Sequence, residues 1–476
     1  MQTKLLIGGE WIETGDTMPV RNPFTGAEIA RVSLGDKITL DSAIAAARAA
    51  FPKVRSVPAH ERAALLLRIA QGIGARSDEF ATTMVAEAGK PITYAEAEVA
   101  RSIFTFTLAA EEARRWNESG GEVLALDATP AGAGHTGIAR RFPIGVISAI
   151  TPFNFPLNLV AHKVAPCIAT GNTMVVKPAA KTPLTALLLA EVITEAGAPP
   201  GQMNFVTCSN EHAAHLVTDD RVAMVSFTGS PDVGWRLKEL SGKKRVCLEL
   251  GGNAGVIVHA DADIAAAVPM IAAGGFGNAG QSCISVQRIF VHEPIYDEFR
   301  TAFLAHIRDK VKTGDPGDRA TVAGPMITGE ALEKTRALIA SAVAAGGHIA
   351  LGGEVEGHCL EATVLEDVPL SHEACTGEFF APVVTLHRYV DFDDALRLVN
   401  DSRFGLQAGV FTRDTGRAMR AFEMLEVGGV LINQVPTWRV ENMPYGGIKD
   451  SGFGREGVRY AMEEMTEIKT LIIRES

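Results

Sequence analysis

The sequence predicts an α/β protein whose parallel sheets are built in two successive halves. Three observations predict it. Apolar strand-like runs alternate with helical patterns from about residue 143, the alternation restarts near residue 253, and 476 residues exceed what one hydrophobic core serves.

Ahead of that alternation, residues 38 to 117 read as helices. "DSAIAAARAAF" places Asp41-Ser42 as a cap before an alanine-rich run, and "PAHERAALLLRIAQGIGAR" repeats apolar residues at helical spacing. "GGEVLALDATPAGAGHTG", residues 120–137, reads as a hairpin or loop. The first alternation then runs "RRFPIGVISAIT" (strand), "FPLNLVAHKVAPCIATG" (helix), "NTMVVKPA" (strand) and "TPLTALLLAEVITEAG" (helix). It continues through "GQMNFVTC", a short helix in "EHAAHLVTD", and "VAMVSFTGS". The second comprises "NAGVIVHADAD", a helix to residue 276, "SVQRIFVHEP", helices through about 345, and strands near 383 and 430. The two halves meet around "LELGGN". The tail "TEIKTLIIRES" alternates apolar and polar residues like an exposed edge strand, which invites a second subunit.

Composition narrows the function classes. Forty-five basic residues against 56 acidic ones leave a net charge of −11, with no electrostatic footprint for nucleic acid or anionic lipid. No apolar run suits a bilayer crossing, and "MQTKLLIGGEWIETG" lacks a signal pattern. The six cysteines are scattered, with no CxxC pair or zinc spacing, which fits a reducing cytoplasm and no metal.

One cysteine stands apart. "GGFGNAGQSCIS" sets Cys283 among glycines and small polar residues, where a ligand can approach closely. In "CLELGGN", Glu249 lies between apolar neighbours, and burial would raise its pKa and suit it to proton transfer near neutrality. In "TPFNFPLN", prolines on both sides restrict Asn154, whose fixed amide can donate to an oxyanion. In "FTGSPDVG", Gly229 and Ser230 offer N–H groups and a hydroxyl to a pyrophosphate at a helix N-terminus. Each has a blander reading alone: a turn cysteine, a salt-bridged strand-end glutamate, a turn asparagine, a strand-to-helix glycine.

Taken in order, "FNFP", "VVKPA", "FTGS…VG", "LELGGN", "GQSC", "EFFAPV" and "PYGGIKDSGFGREG" resemble the aldehyde dehydrogenase superfamily over almost the whole chain. The resemblance implies a Rossmann-type cofactor domain (1–120 and 143–250), a second α/β catalytic domain (251–445), and a small β oligomerisation extension (121–142 and 446–476). It implies Cys283 as nucleophile, Asn154 with the Cys283 N–H as oxyanion donors, Glu249 as the base for thioester hydrolysis, and Lys163 and Glu456 on a proton path. The free acid, not an acyl-CoA, is the implied product, because relatives that release acyl-CoA lack the glutamate. NAD or NADP would be held by Thr151, Pro152, Phe153, Lys177, Ala180, Lys181, Gly229, Ser230, Val233, Leu250, Gly251, Glu378 and Phe380.

Family members that prefer NAD usually carry a glutamate three residues after the lysine of "VVKP". Here Ala180 and Lys181 replace a repelling charge with an attracting one, so NADP is tolerated. His162 falls where succinic semialdehyde dehydrogenases carry an arginine, and their second arginine would fall at Gly277. Arg101, His162, Ser282, Trp438 and Arg439 are expected at the aldehyde, with His162, Arg439 and Arg101 clamping an anionic group. The similarity is to the subgroup of lactaldehyde, glyceraldehyde-3-phosphate, sulfolactaldehyde and phosphonoacetaldehyde dehydrogenases. The expected substrate is a short aldehyde with a hydroxyl or an anionic group, and the expected assembly a homodimer or homotetramer. The alternatives are a succinic-semialdehyde-type enzyme, a cysteine esterase, or a catalytically idle binding relative.

Overall fold

The structure, a computed structural model, describes residues 2–119 and 121–475, without the side chains of 117–119. Gly120, where the glycine-bearing stretch begins, lies outside the described residues. Four helices open the helical region, Lys37–Val54, Ala59–Ala75, Ser77–Ala88 and Ile92–Ser119. The first begins earlier than its Asp41-Ser42 pair suggests. Asp36 is the true cap: its carboxylate accepts from Thr39 N at 2.8 Å, which places Asp41 and Ser42 inside the helix.

The first parallel sheet takes its strands in the spatial order Met203–Phe205, Thr173–Lys177, Val146–Ile150, Val222–Thr228, Arg245–Glu249. Two N-terminal strands, Leu5–Ile7 and Glu10–Ile12, extend it antiparallel at one edge, and Gly452–Phe453 closes the other. The chain winds outward from Val146–Ile150, then returns to lay Val222–Thr228 on its other side. That reversal is a topological switch point, where the loops after the two strands part and leave a crevice at their carboxyl ends. The second sheet runs Thr363–Glu366, Val383–Tyr389, Val286–His292, Ala254–Val258, Gln407–Phe411, Gly429–Ile432, all parallel, with His348–Leu351 antiparallel at its edge.

The stretch "RRFPIGVISAIT" is not one strand. His135–Pro143 ends it early, Gly145 turns the backbone at φ +127°, and Val146–Ile150 starts afresh in the first sheet. His135–Pro143 instead joins Gly121–Leu124 and Thr466–Arg474 in a separate antiparallel sheet. "EHAAHLVTD" likewise splits into two four-residue helices, Asn210–Ala213 and His215–Thr218.

Each large sheet has its own apolar core. Ile147, Ala149, Met174, Val176 and Phe205 pack against the N-terminal helices, while Val256, Ile289, Val291, Val384 and Leu386 pack under the helices Ile264–Phe276 and Tyr296–Lys310. Among the described residues, no helix is long and apolar enough to cross a membrane.

Two buried carboxylates tie the helical region to the first sheet. Glu87 accepts from the N–H groups of Leu184 and Thr185 at 2.7 and 2.9 Å, capping the helix Pro183–Glu195. Glu98 accepts from Leu157 N and Asn158 N at 2.9 and 3.0 Å at the start of the helix Asn158–Thr170, and its other oxygen pairs with the fully buried Lys90. Glu98 thereby fixes the end of the loop that carries Asn154. Removing one partner of such a pair strands a buried charge. Glu98→Ala should cost about 3–5 kcal/mol in urea denaturation and lower turnover with it.

Candidate active site

The carboxyl ends of the two sheets face a common cavity of about 1290 Å3. Its walls include every residue expected at the nucleotide, most of them on the loops that follow the first sheet's strands. Thr151, Pro152, Phe153 and Asn154 follow Val146–Ile150; Lys177, Ala180 and Lys181 follow Thr173–Lys177; Gly229, Ser230 and Val233 follow Val222–Thr228. Leu250 and Gly251 follow Glu249, and Glu378 and Phe380 reach in from the second sheet's side together with Lys334.

The donor set suits a dinucleotide. Ser230 caps the ten-residue helix Pro231–Leu240 with no side-chain bond of its own, leaving hydroxyl and helix dipole for a phosphate. Lys177 is 4% exposed and donates to Asn210 at 3.3 Å, and burial lowers its pKa. Glu378 accepts from Gly252 N at 2.9 Å, and burial pushes its pKa up to about 7. Phe153 and Phe380 meet edge to face at 5.8 Å, with Phe380 held at φ +50°, a strained angle for a non-glycine residue. Lys181 is exposed on the rim beside Ala180, and Glu211 also lines the cavity.

Cys283 sits where the two sheets meet. Asn278 and Ala279 adopt left-handed φ of +53° and +56°, followed by Gly280 at +64°, and this strained turn delivers Gln281 and Cys283 to the cavity floor. Glycine at 280 is obligatory, because a Cβ there would lie 2.1 Å from Ala381 O. Of the six cysteines, five are buried and Cys283 alone keeps partial access. Its sulfur is reachable through the cavity yet enclosed on its other sides. Burial therefore pushes the thiol up to about 12; the bond from Tyr445 opposes the rise, and nearby Glu378 and Glu249 add to it.

Asn154 Nδ2 donates to Gln281 O at 3.0 Å. A carbonyl can only accept, so the amide's orientation is settled and its second N–H proton is left for a ligand. Among the described residues, the Cys283 N–H has no backbone partner. Glu249 is 2% exposed at the end of its strand, and among the described residues neither carboxylate oxygen has a hydrogen-bond partner. Burial, then the charge of Glu456, hold its pKa well above the usual carboxylate range. Lys163 donates to Glu456 at 2.8 Å and to Ser226 at 2.9 Å; although burial opposes it, the Lys163 charge holds the Glu456 carboxyl well below that range.

The expected substrate residues converge, but not as an open clamp. Arg101, His162, Ser282, Trp438 and Arg439 lie off the wall of the large cavity. Arg101 pairs with Glu441 at 2.7 Å and His162 Nε2 meets the other Glu441 oxygen at 2.5 Å, so both are spent on an internal carboxylate. Arg439 turns inward, its side chain 5% exposed, and lies 3.6 Å over the Tyr445 ring and 3.1 Å from His162 Nδ1. Since guanidinium only donates, Nδ1 accepts and the imidazole proton faces Glu441. Trp438 is 45% exposed. The arginine missing at position 277 also has a physical reason: a Cβ on Gly277 would lie 2.6 Å from the Tyr94 hydroxyl.

Sequence reasoning missed Glu441, Tyr445 and Gln281. Glu441 and Tyr445 stand in "RVENMPYGG", where adjacent charge and an aromatic beside two glycines were the available signals.

The aldehyde dehydrogenase family model matches residues 11–471, and the chain belongs to that family. Its activity is the NAD(P)-dependent oxidation of an aldehyde. The 3-sulfolactaldehyde dehydrogenase of Priestia megaterium is 40% identical over 99% of this chain and 98% of its own. The lactaldehyde dehydrogenase of Methanocaldococcus jannaschii is 39% identical over 98% of this chain and its whole length. Among solved structures, aldehyde dehydrogenase 21 from Physcomitrella patens, in complex with the reaction product succinate, superimposes with a TM-score of 0.97. It is 42% identical and covers 99% of this chain and 98% of its own. Glyceraldehyde-3-phosphate dehydrogenase GapN from M. jannaschii, complexed with NADP, has a TM-score of 0.93 at 39% identity, covering 97% of this chain and all of its own.

A thiol raised this far alkylates slowly at neutral pH, and its thiolate fraction grows about tenfold per pH unit. Inactivation of the ligand-free protein by iodoacetamide should therefore climb steadily with pH and show no plateau near neutrality.

Proposed function

We propose that this enzyme oxidises a short aldehyde bearing an anionic group, or a hydroxyl, to the free acid. The observation that carries this reading is Arg439, a cation buried near the thiol whose carboxylate neighbour Glu456 lies 3.7 Å away and is already paired with Lys163 at 2.8 Å. Arg439 lies over the ring of Tyr445, whose hydroxyl touches the Cys283 sulfur. Its buried Nε has no partner, a donor that a carboxylate or sulfonate oxygen would satisfy. The relatives that act on sulfolactaldehyde or lactaldehyde support the same substrate class.

The chemistry follows from the placement of side chains. The Cys283 sulfur adds to the aldehyde carbon, while the spare Asn154 N–H and the Cys283 N–H receive the oxyanion. NAD(P)+, when bound, would supply the hydride acceptor, and Phe153, Phe380, Glu378, Lys177 and Ser230 would hold it. Glu249 takes a proton from the water that attacks the resulting thioester. Lys163 and Glu456 act behind it, since the ionised Glu456 keeps Glu249 basic enough to accept that proton. The division into 1–120 with 143–250, 251–445, and 121–142 with 446–476 matches these duties: nucleotide, thiol and assembly.

A second reading, succinic semialdehyde, is favoured by the succinate bound to the moss neighbour. It would have to use Arg439, because His162 and Gly277 occupy the positions where that subgroup places its arginines.

An aldehyde-by-cofactor activity grid tests the reading. The best substrates should carry an anionic or hydroxyl group, and Arg439→Gln should lower kcat/KM for an anionic aldehyde about ten- to a hundredfold relative to a neutral one, the worth of a charged hydrogen bond. An unchanged ratio would show that Arg439 does not recognise the anion. Cys283→Ser should abolish NAD(P)H formation, whereas Glu249→Gln should keep one rapid turnover and then stall at the thioester. Ala180→Glu should shift the kcat/KM ratio toward NAD at least tenfold, by repulsion of a 2′-phosphate.

For the assembly, the outer antiparallel sheet ends in Thr466–Arg474, an edge strand that leaves Ile468, Leu471, Ile472 and Ile473 about half exposed. We propose that a second copy covers it. Light scattering should report a dimer or tetramer that Ile472→Lys with Leu471→Lys dissociates.

A further inference from the structure

We propose that the Tyr445 hydroxyl is a catalytic hydrogen-bond donor to the Cys283 sulfur, stabilising the thiolate both as nucleophile and as leaving group, with Arg439 as its positioning residue. This rests on Cys283 being the nucleophile.

Tyr445 Oη lies 3.2 Å from Cys283 Sγ. The tyrosine is 4% exposed and forms an apolar cluster with Ile284 and Leu406 against Cys283. Among the described residues, the sulfur is the only hydrogen-bond partner of that hydroxyl. A phenylalanine would fill the same space without the cost of burying an oxygen, so the hydroxyl answers to the sulfur rather than to packing. The backbone holds it in place: Tyr445 N donates to Glu456 O at 3.0 Å, and Glu456 N donates back at 2.7 Å. The same bridge fixes Glu456, which governs Glu249, so the elements serving thiol and base share one anchor.

In the resting pair either atom can donate. Once sulfur is deprotonated only the phenol can, and the bond becomes charge-assisted. The thiol proton leaves through the cavity to the Glu249 carboxylate or to solvent; Tyr445 keeps its own proton throughout. Arg439, face-on at 3.6 Å, draws density from the ring and strengthens the O–H as a donor, while its charge disfavours any rotation that would break the stack. When sulfur bonds to carbon its charge is gone and the hydrogen bond weakens. When water expels the sulfur from the thioester the bond is regained. One hydroxyl thus serves both half-reactions without changing protonation state.

A charged hydrogen bond of about 1.5–3 kcal/mol corresponds to about one to two units of thiol acidity. Because nucleophilicity falls as acidity rises, roughly half of that shows in an alkylation rate. The test follows iodoacetamide inactivation of the full-length enzyme against pH, without aldehyde. Tyr445→Phe should lower the log-rate line about three- to tenfold at every pH in its rising part, with NADP binding unchanged, and Arg439→Gln should lower it by less. Protein made with 3-fluorotyrosine at its five tyrosines, of which Tyr445 alone touches Cys283, should raise it, since that phenol is the stronger donor. The fluorinated protein also answers the question if Tyr445→Phe fails to fold. Lines that do not move in either protein overturn the proposal, and an unmoved line in Arg439→Gln overturns the positioning role. Loss of turnover in Cys283→Ser alongside unmoved lines would refute this inference alone; persistent turnover in that variant would refute the nucleophile assignment instead.

Discussion

The site depends on the close contact of Gly252 with the carbonyl of Cys283. A Cβ at position 252 would lie 2.0 Å from that oxygen, and one at Gly251 would lie 2.4 Å from the Glu378 carboxylate. These two glycines form the crossing between the last strand of the first sheet and the first strand of the second. Only bare backbone lets the crossing pass so close to the thiol's loop. The Gly252 N–H then binds Glu378 at 2.9 Å, which links the crossing to the segment carrying Phe380. With that contact in place, Glu249 from one sheet and Cys283 from the other face a single cavity. Without it, base and nucleophile would belong to separate surfaces.

Buried charge organises what surrounds this seam. Glu98 and Lys90 hold the loop of Asn154, Glu456 paired with Lys163 helps burial to raise the Glu249 pKa, and Glu441 gathers Arg101 and His162. Each ion pair is expensive to desolvate and gives little net stability on that account. Their value lies in geometry, because a charge that must be paired allows its neighbours few alternative positions. Some of the backbone strain lies at the same place: Asn278, Ala279 and Phe380 are left-handed without being glycine and flank the reacting groups, while Asp367, Asn433 and Lys449 are left-handed elsewhere.

Much of this was legible in the chain. The alternation of apolar strands and helices located both parallel sheets, since a buried strand must be apolar throughout and its crossover helix amphipathic. The tail strand and its exposed face were also readable, as alternation is a local property. Boundaries were less so. "RRFPIGVISAIT" carries no internal sign that Gly145 sends its two halves into different sheets, and the Asp36 cap was hidden behind the more conspicuous Asp41-Ser42.

By itself the sequence determined which residues can do chemistry and in which loops they stand: a thiol among glycines, a carboxylate between apolar neighbours, an amide between prolines. These are facts of residue type and local backbone freedom. Only the tertiary structure decided which of them meet. It brought Glu441 between Arg101 and His162 and turned Arg439 onto Tyr445, and it set a phenol against the sulfur from 162 residues away. Such pairings are decided by the winding of two sheets and the desolvation of their charges, and neither leaves a mark on nearest neighbours in the chain.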